Sequence, residues 1–260
     1  MKVVILCGGQ GTRLREETEV RPKPMVEIGG RPILWHIMKI YASYGLTDFV
    51  LCLGYKGYII KDFFLNYEAR MKDLTVRLGS LPAVKYHNDH PEEGWSVTLA
   101  ETGESAMTGA RVRRIRRYLD NGTFCLTYGD GLGNVNLEKL IQFHRSHGKI
   151  GTVTAVHPQG RFGELRVEGK QAKAFAEKPQ VTEGFINGGF FVLEREFIDR
   201  YLDDRDDLVL EKEPLQQLAA DGELMVWPHD WFWQPMDTYR ELKMLEELWN
   251  TGSAPWKIWE

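Results

Sequence analysis

The sequence predicts an α/β fold: a Rossmann-like, mostly parallel sheet with helices on both faces and small β insertions. Two observations carry this expectation. Short continuous apolar runs alternate with helix-length periodic segments from the N-terminus to Val156. Glycine-rich turns follow two of the apolar runs, at Gly8-Gly9 and at Gly129-Asp130-Gly131, where an open α/β sheet carries its ligand at the carboxyl ends of the strands.

Val3-Val4-Ile5-Leu6 is apolar at every position and stops at glycines, as a parallel strand buried on both faces should. A helix is predicted from about Pro32 to Tyr44, because Ile33, Ile37 and Ile40 fall on one face and Pro32 stands at its start. Phe49–Leu53 reads as the second strand and Lys56–Asn66 as another helix. Thr123–Thr127 is a later strand, Leu137–His147 the helix after it, and Gly151–Val156 a further strand. In the second half, Gly163–Val167 and Ala172–Ala176 read as a hairpin about Glu168-Gly169-Lys170. Ile186–Leu193 is a strand broken at Gly188-Gly189, and helices are predicted over Glu194–Leu202, Pro214–Ala220 and Thr238–Asn250. With no repeat, low-complexity stretch or clear linker, residues 1–260 read as one domain with insertions and a short helical, aromatic tail.

The 43% hydrophobic content supports a packed core, and a formal net charge of −4 gives no reason to expect nucleic acid or an anionic membrane as partner. The apolar runs are strand-sized, so none reads as a membrane span, and the N-terminal run is too short for a secretory signal. Cys7, Cys52 and Cys125 are odd in number and each lies in or beside an apolar run. They read as buried thiols in a reducing, cytoplasmic setting.

The stretch Gly8-Gly9-Gln10-Gly11-Thr12-Arg13-Leu14 directly follows the first strand. Its glycines let backbone N–H groups approach a ligand, and Arg13 adds donors suited to phosphate oxygens. Lys23 stands between Pro22 and Pro24, which should present it from a stiff, extended segment. The spacing fits neither the dinucleotide fingerprint nor the Walker loop. An NAD-dependent oxidoreductase is disfavoured on that ground.

The glycine stretch together with Pro22-Lys23-Pro24 resembles the signature of the sugar-1-phosphate nucleotidylyltransferases, and the similarity continues along nearly the whole chain. Pro24-Met25-Val26-Glu27-Ile28-Gly29-Gly30, Gly54-Tyr55-Lys56-Gly57-Tyr58 and Trp233-Gln234-Pro235-Met236-Asp237-Thr238 resemble the members that use CTP and glucose 1-phosphate. The resemblance implies the nucleotide-diphospho-sugar transferase fold and Mg²⁺-dependent transfer of CMP to α-D-glucose 1-phosphate. The products would be pyrophosphate and CDP-glucose, the start of a route to CDP-linked dideoxysugars of surface polysaccharide. It also implies a homo-oligomer. The aromatic tail, with Trp249, Trp256 and Trp259, would pack either on its own domain or on a neighbouring subunit, and exposed tryptophans would suit an interface.

The resemblance further implies roles for particular side chains. Leu6, Gly8, Gly9, Gly11, Thr12, Arg13, Lys23, Thr108, Arg111 and Gly129 fall on the nucleotide. Arg13, Lys23 and Lys178 are the catalytic cations. Gly163, Glu177, Lys178, Asn187 and Gly188 fall on the sugar phosphate. Asp130 and Asp237 hold the metal, a donor set that suits magnesium, which commonly takes only one or two protein carboxylates. Plainer readings stand beside these. Asp130 before a glycine suits a turn, Asp237 could belong to the N-cap of the last helix, and Thr108 could cap its own helix. Arg113, Arg114, Arg116 and Arg117 read as a solvated helix face, and His87, His90, His144 and His147 as packing or surface histidines, with no third ligand at matching spacing. The same chemistry with UTP or dTTP, and a catalytically idle nucleotide-sugar sensor, remain as alternatives. The full set of charged residues speaks against the sensor.

Overall fold

The computed structural model of the 260-residue chain describes residues 1–79, 83–157, 164–168, 171–176 and 184–259. In the first half, β1 (Val3–Leu6) leads through α1 (Arg15–Thr18) and the small ladder β2 (Glu27–Ile28) and β3 (Arg31–Pro32) to α2 (Ile33–Ala42). Then come β4 (Asp48–Leu53), α3 (Gly57–Leu65), α4 (Tyr67–Met71), β5 (Asp73–Arg77), β6 (Ala83–His87) and β7 (Ser96–Glu101). After α5 (Thr108–Arg114) follow β8 (Phe124–Tyr128), β9 (Gly131–Gly133), α6 (Leu137–His147) and β10 (Gly151–Val156). The remainder is β11 (Glu164–Glu168), β12 (Gln171–Ala176), β13 (Ile186–Asn187), β14 (Phe191–Leu193), α7 (Arg195–Tyr201), α8 (Glu213–Ala220), β15 (Leu224–His229), β16 (Trp233–Pro235) and α9 (Tyr239–Asn250).

The central sheet runs β13-β10-β14-β8-β1-β4-β7, with β15 on the free side of β10. Four neighbours, β8, β1, β4 and β7, are parallel, and β15 is parallel to β10, whereas β14 is antiparallel to both β8 and β10. β13 and β14 both pair with β10 and are the two halves of one strand. The break falls at the predicted glycine pair, where Gly189 has φ +74° and Phe190 φ +47°.

Alternation explains why the strand runs are apolar at every position. Val3, Ile5, Phe49, Leu51 and Leu53 feed one core, while Val4, Val50, Cys52, Phe124 and Leu126 feed another. Successive side chains point to opposite faces, and helices cover both, so apolar residues serve both faces and the few polar ones, such as Thr152 and Thr154, are hydrogen-bonded. The helices end where local chemistry stops them. The Asn136 side chain accepts from the Lys139 N–H at 2.9 Å to start α6, and Gly148 ends it at φ +65°. Cys7, Cys52 and Cys125 are free and buried.

The β5–β6 hairpin, the edge strand β7, the central-sheet strand β15 and the short ladders β2–β3 and β9–β16 depart from expectation. On the hairpin, Leu74 faces Tyr86 and Val76 faces Val84 across the strands, and all four are exposed. The tail tryptophans do not form an exposed patch. Trp256 is fully buried and stacks on Phe232 at 5.5 Å, and the Trp249 ring meets His36 edge-on at 4.6 Å. They fold back on their own domain because α2 presents an aromatic floor, Trp35 and His36, for them to cover.

His36 at the centre of this cluster is fully buried. One ring nitrogen lies 2.9 Å from the Ile28 carbonyl, which it can serve only as donor, and the other accepts from the Trp256 indole at 3.4 Å. Burial lowers its pKa to about 4. The unfolded chain protonates near pH 6.5 and the folded one does not until about pH 4, so stability is complete above pH 6.5 and falls as pH drops through this window. The gap corresponds to a loss on the order of 3 kcal/mol. Denaturant titrations at pH 7.5 and 4.5 should show this slope in the wild type and a smaller one in His36→Gln. Equal slopes would remove His36 as its source.

Candidate active site

The parallel strands end side by side, and a cavity of about 360 Å³ opens beyond β1 and β8. It is lined by residues 6–13, Lys23, Pro24, residues 106–108, Arg111 and residues 128–130. Leu6, Gly8, Gly9, Gly11, Thr12, Arg13, Lys23, Thr108, Arg111 and Gly129, all singled out from the sequence, therefore share one wall-to-wall space with Asp130. Gly11 takes φ +62°, and its carbonyl accepts from the Leu14 N–H at 3.0 Å and the Thr18 hydroxyl at 3.1 Å. That turn is left-handed, which favours glycine.

Lys23 is the electrostatic hub. Its Nζ lies 2.5 Å from Asp130 Oδ2 and 2.6 Å from Asp237 Oδ1, and Arg13 Nη1 reaches Asp237 Oδ2 at 2.7 Å. Burial works against the ammonium, but the two carboxylates outweigh it and hold its pKa above the ordinary lysine value. Lys23 is not presented from an extended segment as the flanking prolines suggest. It opens a single helical turn over Lys23–Met25, closed by the Met25 N–H on the Pro22 carbonyl at 2.8 Å. Pro24 can stay because its missing N–H lies in the first turn, where no helical partner is needed.

Asp130 and Asp237 stand 107 positions apart in the chain and meet through a strand pair too short to read from sequence. Asp130 precedes β9, Asp237 follows β16 by two residues, and β9 pairs antiparallel with β16 from Gly131↔Pro235 to Gly133↔Trp233. The Met236 N–H then donates to the Asp130 carbonyl at 2.8 Å. Asp237 is not the N-cap of α9. Thr238 is, with Glu241 completing a capping box, and the Glu241 carboxylate also accepts the Asp237 N–H at 2.7 Å. The spacing Thr238-Tyr239-Arg240-Glu241 was the available sequence signal for this support.

Arg111 is 4% exposed. Its Nη1 donates to Leu53 O at 2.9 Å, Gly103 O at 2.8 Å and the Thr102 hydroxyl at 2.9 Å, and its Nη2 to Gly8 O at 3.0 Å. One guanidinium thus ties together the carboxyl ends of β1, β4 and β7 beneath the cavity. A Cβ on Gly8 or Gly54 would come within 2.1 or 2.3 Å of Arg111 Nη1, so glycine at both positions is what admits this side chain. Arg114, at the end of α5, pairs with Asp204 and Asp206, and Arg116 with Asp199, whereas Arg113 is half-buried.

Asn187 and Gly188 are not among the residues that line this cavity; they adjoin it through Tyr128, whose hydroxyl accepts from Asn187 Nδ2 at 2.9 Å, while the Trp233 indole donates to the Gly188 carbonyl at 2.7 Å. Thr108 does not cap α5, whose first N–H groups go instead to the Leu208 carbonyl. Gly163, Glu177 and Lys178 lie outside the described residues. Tyr128, absent from the sequence-based set, lines the cavity, and its hydroxyl donates to Glu211 at 2.8 Å. Tyr128 adjoins Gly129-Asp130 and was findable by position, whereas Glu211 sits in no motif.

Gly129 is held closely. A Cβ there would stand 2.7 Å from the Leu6 carbonyl and 3.0 Å from Pro24 Cγ. Backbone cannot yield as a side chain can, so Gly129→Ala should destabilise the protein by ~1–3 kcal/mol and displace Asp130. Urea unfolding checks the first effect and turnover the second. A variant as stable as wild type would show that the contact relaxes freely.

Comparison with known proteins agrees with this geometry. Residues 2–237 match the family model described as nucleotidyl transferase. The chain is 52% identical over 261 residues, covering all of both chains, to the glucose-1-phosphate cytidylyltransferase of Salmonella typhi. It is equally similar, at 52% over 261 residues, to the enzyme of that name from Salmonella typhimurium. The crystal structure of HddC from Yersinia pseudotuberculosis complexed with GMP-PN matches with a TM-score of 0.69, covering 95% of this chain and 99% of that one, at 23% identity. The last likeness speaks for the fold alone. With the glycine loop, the lysine between two carboxylates and full-length similarity in hand, the chain belongs to the nucleotidyl transferase family.

Proposed function

We propose that the protein transfers CMP from CTP to α-D-glucose 1-phosphate, forming CDP-glucose and releasing pyrophosphate. The observation that carries this reading is the convergence of the glycine loop, Arg13 and Lys23 on one cavity with Asp130, together with 52% identity over the whole length of enzymes named for this activity. A phosphate oxygen of glucose 1-phosphate attacks the α-phosphorus of CTP in line, and the bond to the pyrophosphate oxygen breaks. The nucleophile is already anionic, so no general base is required. The obstacle is repulsion between anions and charge growing on the leaving group, so catalysis rests on positioning and neutralisation.

The glycine loop and Arg13 receive the triphosphate, and Lys23, on its flexible stem, exchanges a carboxylate for phosphate oxygens as charge develops. Thr108 and Arg111 border the nucleotide. Asn187 and Gly188, with Gly163, Glu177 and Lys178, form the sugar-phosphate side, where Lys178 holds the attacking phosphate. Asp130 and Asp237 would hold Mg²⁺. Their fit is supported by two hard oxygen donors converging on a single point, now the Lys23 ammonium. Among the described residues no cluster of three or more His, Cys, Asp or Glu side chains forms a metal cage, and magnesium completed by phosphates and water needs none. When bound, the ion neutralises the polyphosphate.

CDP-glucose would feed CDP-linked dideoxysugars. A reducing cytoplasm suits three buried free thiols. The exposed apolar face of the β5–β6 hairpin supports assembly of identical subunits. The test of the central reading is pyrophosphate release from CTP, UTP, dTTP or GTP with glucose 1-phosphate, with and without Mg²⁺. The expected result is Mg²⁺-dependent release with a strong preference for CTP. No release with any of the four, or equal rates with all, would refute it.

A further inference from the structure

Four side chains from four separate segments, two of which (Thr108 and Tyr128) line the cavity, form one directed chain of hydrogen bonds beside it. The Gly189 N–H donates to Asn187 Oδ1 at 2.8 Å, which fixes the amide so that its NH₂ faces Tyr128. Asn187 Nδ2 donates to the Tyr128 hydroxyl at 2.9 Å, so the phenol must send its own proton onward, and it donates to Glu211 Oε1 at 2.8 Å. From the other side, the Leu210 N–H donates to the Thr108 hydroxyl at 2.9 Å, and that hydroxyl donates to Glu211 Oε2 at 2.7 Å. Both ends of the chain run toward Glu211. Only a group with two acceptors and no donor completes it, and an ionised carboxylate is that group.

The carboxylate is held in place by its neighbours in sequence. Leu208 and Leu210 are buried. The Leu208 carbonyl accepts the Gly109 N–H at 2.9 Å, and the Asp206 carbonyl accepts the Met107 N–H at 2.8 Å. The segment leading to Glu211 is therefore bound along the start of α5.

We propose that Glu211 is a positioning residue that locks the nucleotide side of the cavity, through Thr108, to the sugar side, through Tyr128 and Asn187. This rests on the substrate reading given above. Two substrates must meet in line, and their walls come from elements far apart in sequence. A single carboxylate bridging Thr108 and Tyr128 sets the spacing between those walls. Glutamine keeps only one of the two acceptors: its NH₂ would face a phenol or a hydroxyl whose own proton then has no acceptor.

The test is steady-state kinetics on wild type, Glu211→Gln, Tyr128→Phe and the double variant, with thermal unfolding measured on each. In Glu211→Gln the KM values for both CTP and glucose 1-phosphate should rise, that for glucose 1-phosphate about tenfold, as expected for losing a hydrogen bond to a charged group. The kcat and the unfolding temperature should change little, since Glu211 lies on the surface. The double variant should be no worse than the poorer single variant, because both break one chain. Unchanged KM values, or losses that multiply in the double variant, would overturn the proposal. A drop in kcat and unfolding temperature with KM unmoved would show a purely structural role and overturn it equally. Wild-type turnover, measured alongside, reports separately on the substrate reading.

Discussion

Lys23→Ala should lower pyrophosphate release by about 10²–10³-fold, the loss seen when a preorganised charge stabiliser is removed from a site of this kind. The side chain is 10% exposed and lies within 2.6 Å of two carboxylates. It is the one cation in contact with both Asp130 and Asp237 among the described residues, and Arg13 touches only Asp237. Its raised pKa keeps it charged at neutral pH. The sign follows from that direction: the stability it contributes is fully present below the unfolded lysine pKa and is lost only as pH rises through the higher folded value. Around pH 7 the variant therefore lacks a charge the wild type always carries. Asp130 and Asp237 keep side-chain exposures of 31% and 18%, so water can solvate them and the fold should persist. A small primary amine added to the assay should restore part of the rate. Turnover within a few-fold of wild type in a folded Lys23→Ala would remove lysine from the mechanism.

Asp130→Asn should be of similar size, about 10²–10³-fold in turnover. The carboxamide removes the negative charge and leaves only a neutral oxygen to accept from the Lys23 ammonium. Lys23 then leans on Asp237 alone, and one of the two hard ligands proposed for Mg²⁺ becomes neutral. Half-saturation by Mg²⁺ should accordingly move to higher concentration in Asp130→Asn, whereas Lys23→Ala should need no more Mg²⁺ than wild type. Because Lys23 and Asp130 touch, the double variant should lose less than the product of the two single losses. Mg²⁺ titration and rate measurements on the three variants check this. An unshifted Mg²⁺ requirement in Asp130→Asn would place the metal elsewhere.

The parts of the fold that were legible in sequence are those where one face-independent rule operates. β1 and β4 lie under helices on both faces, so Val3–Leu6 and Phe49–Leu53 are apolar throughout and stand out. Leu137–His147 and Gly151–Val156 are reproduced residue for residue, since Asn136 and Gly148 punctuate the helix chemically. β7 was missed because, as an edge strand, Ser96–Glu101 is only partly covered, and its signal is the alternation of Val97 and Leu99. The β5–β6 hairpin was missed although its signal is present, the alternation of Leu74 with Val76 and of Val84 with Tyr86 over two five-residue runs. The site shows the same division. A glycine loop after a strand announces itself locally. The meeting of Asp130 with Asp237 depends on two three-residue strands, one of them Gly131-Leu132-Gly133 with little strand preference of its own. Only the resemblance linked those two carboxylates. Lys23 shows tertiary context overruling a local rule, since the residue before a proline tends to be extended and here it is helical. Nothing local marks Glu211, whose partners lie 103 and 83 positions away.

What remains is to see where a nucleotide settles. A crystal structure of the protein with CTP and Mg²⁺ should show the triphosphate along residues 8–13, with its oxygens within hydrogen-bond reach of Lys23 and the ion touching Asp130 and Asp237. Density for CTP away from this cavity, or a triphosphate that leaves Lys23 paired as it is now to both carboxylates, would contradict the account at its root.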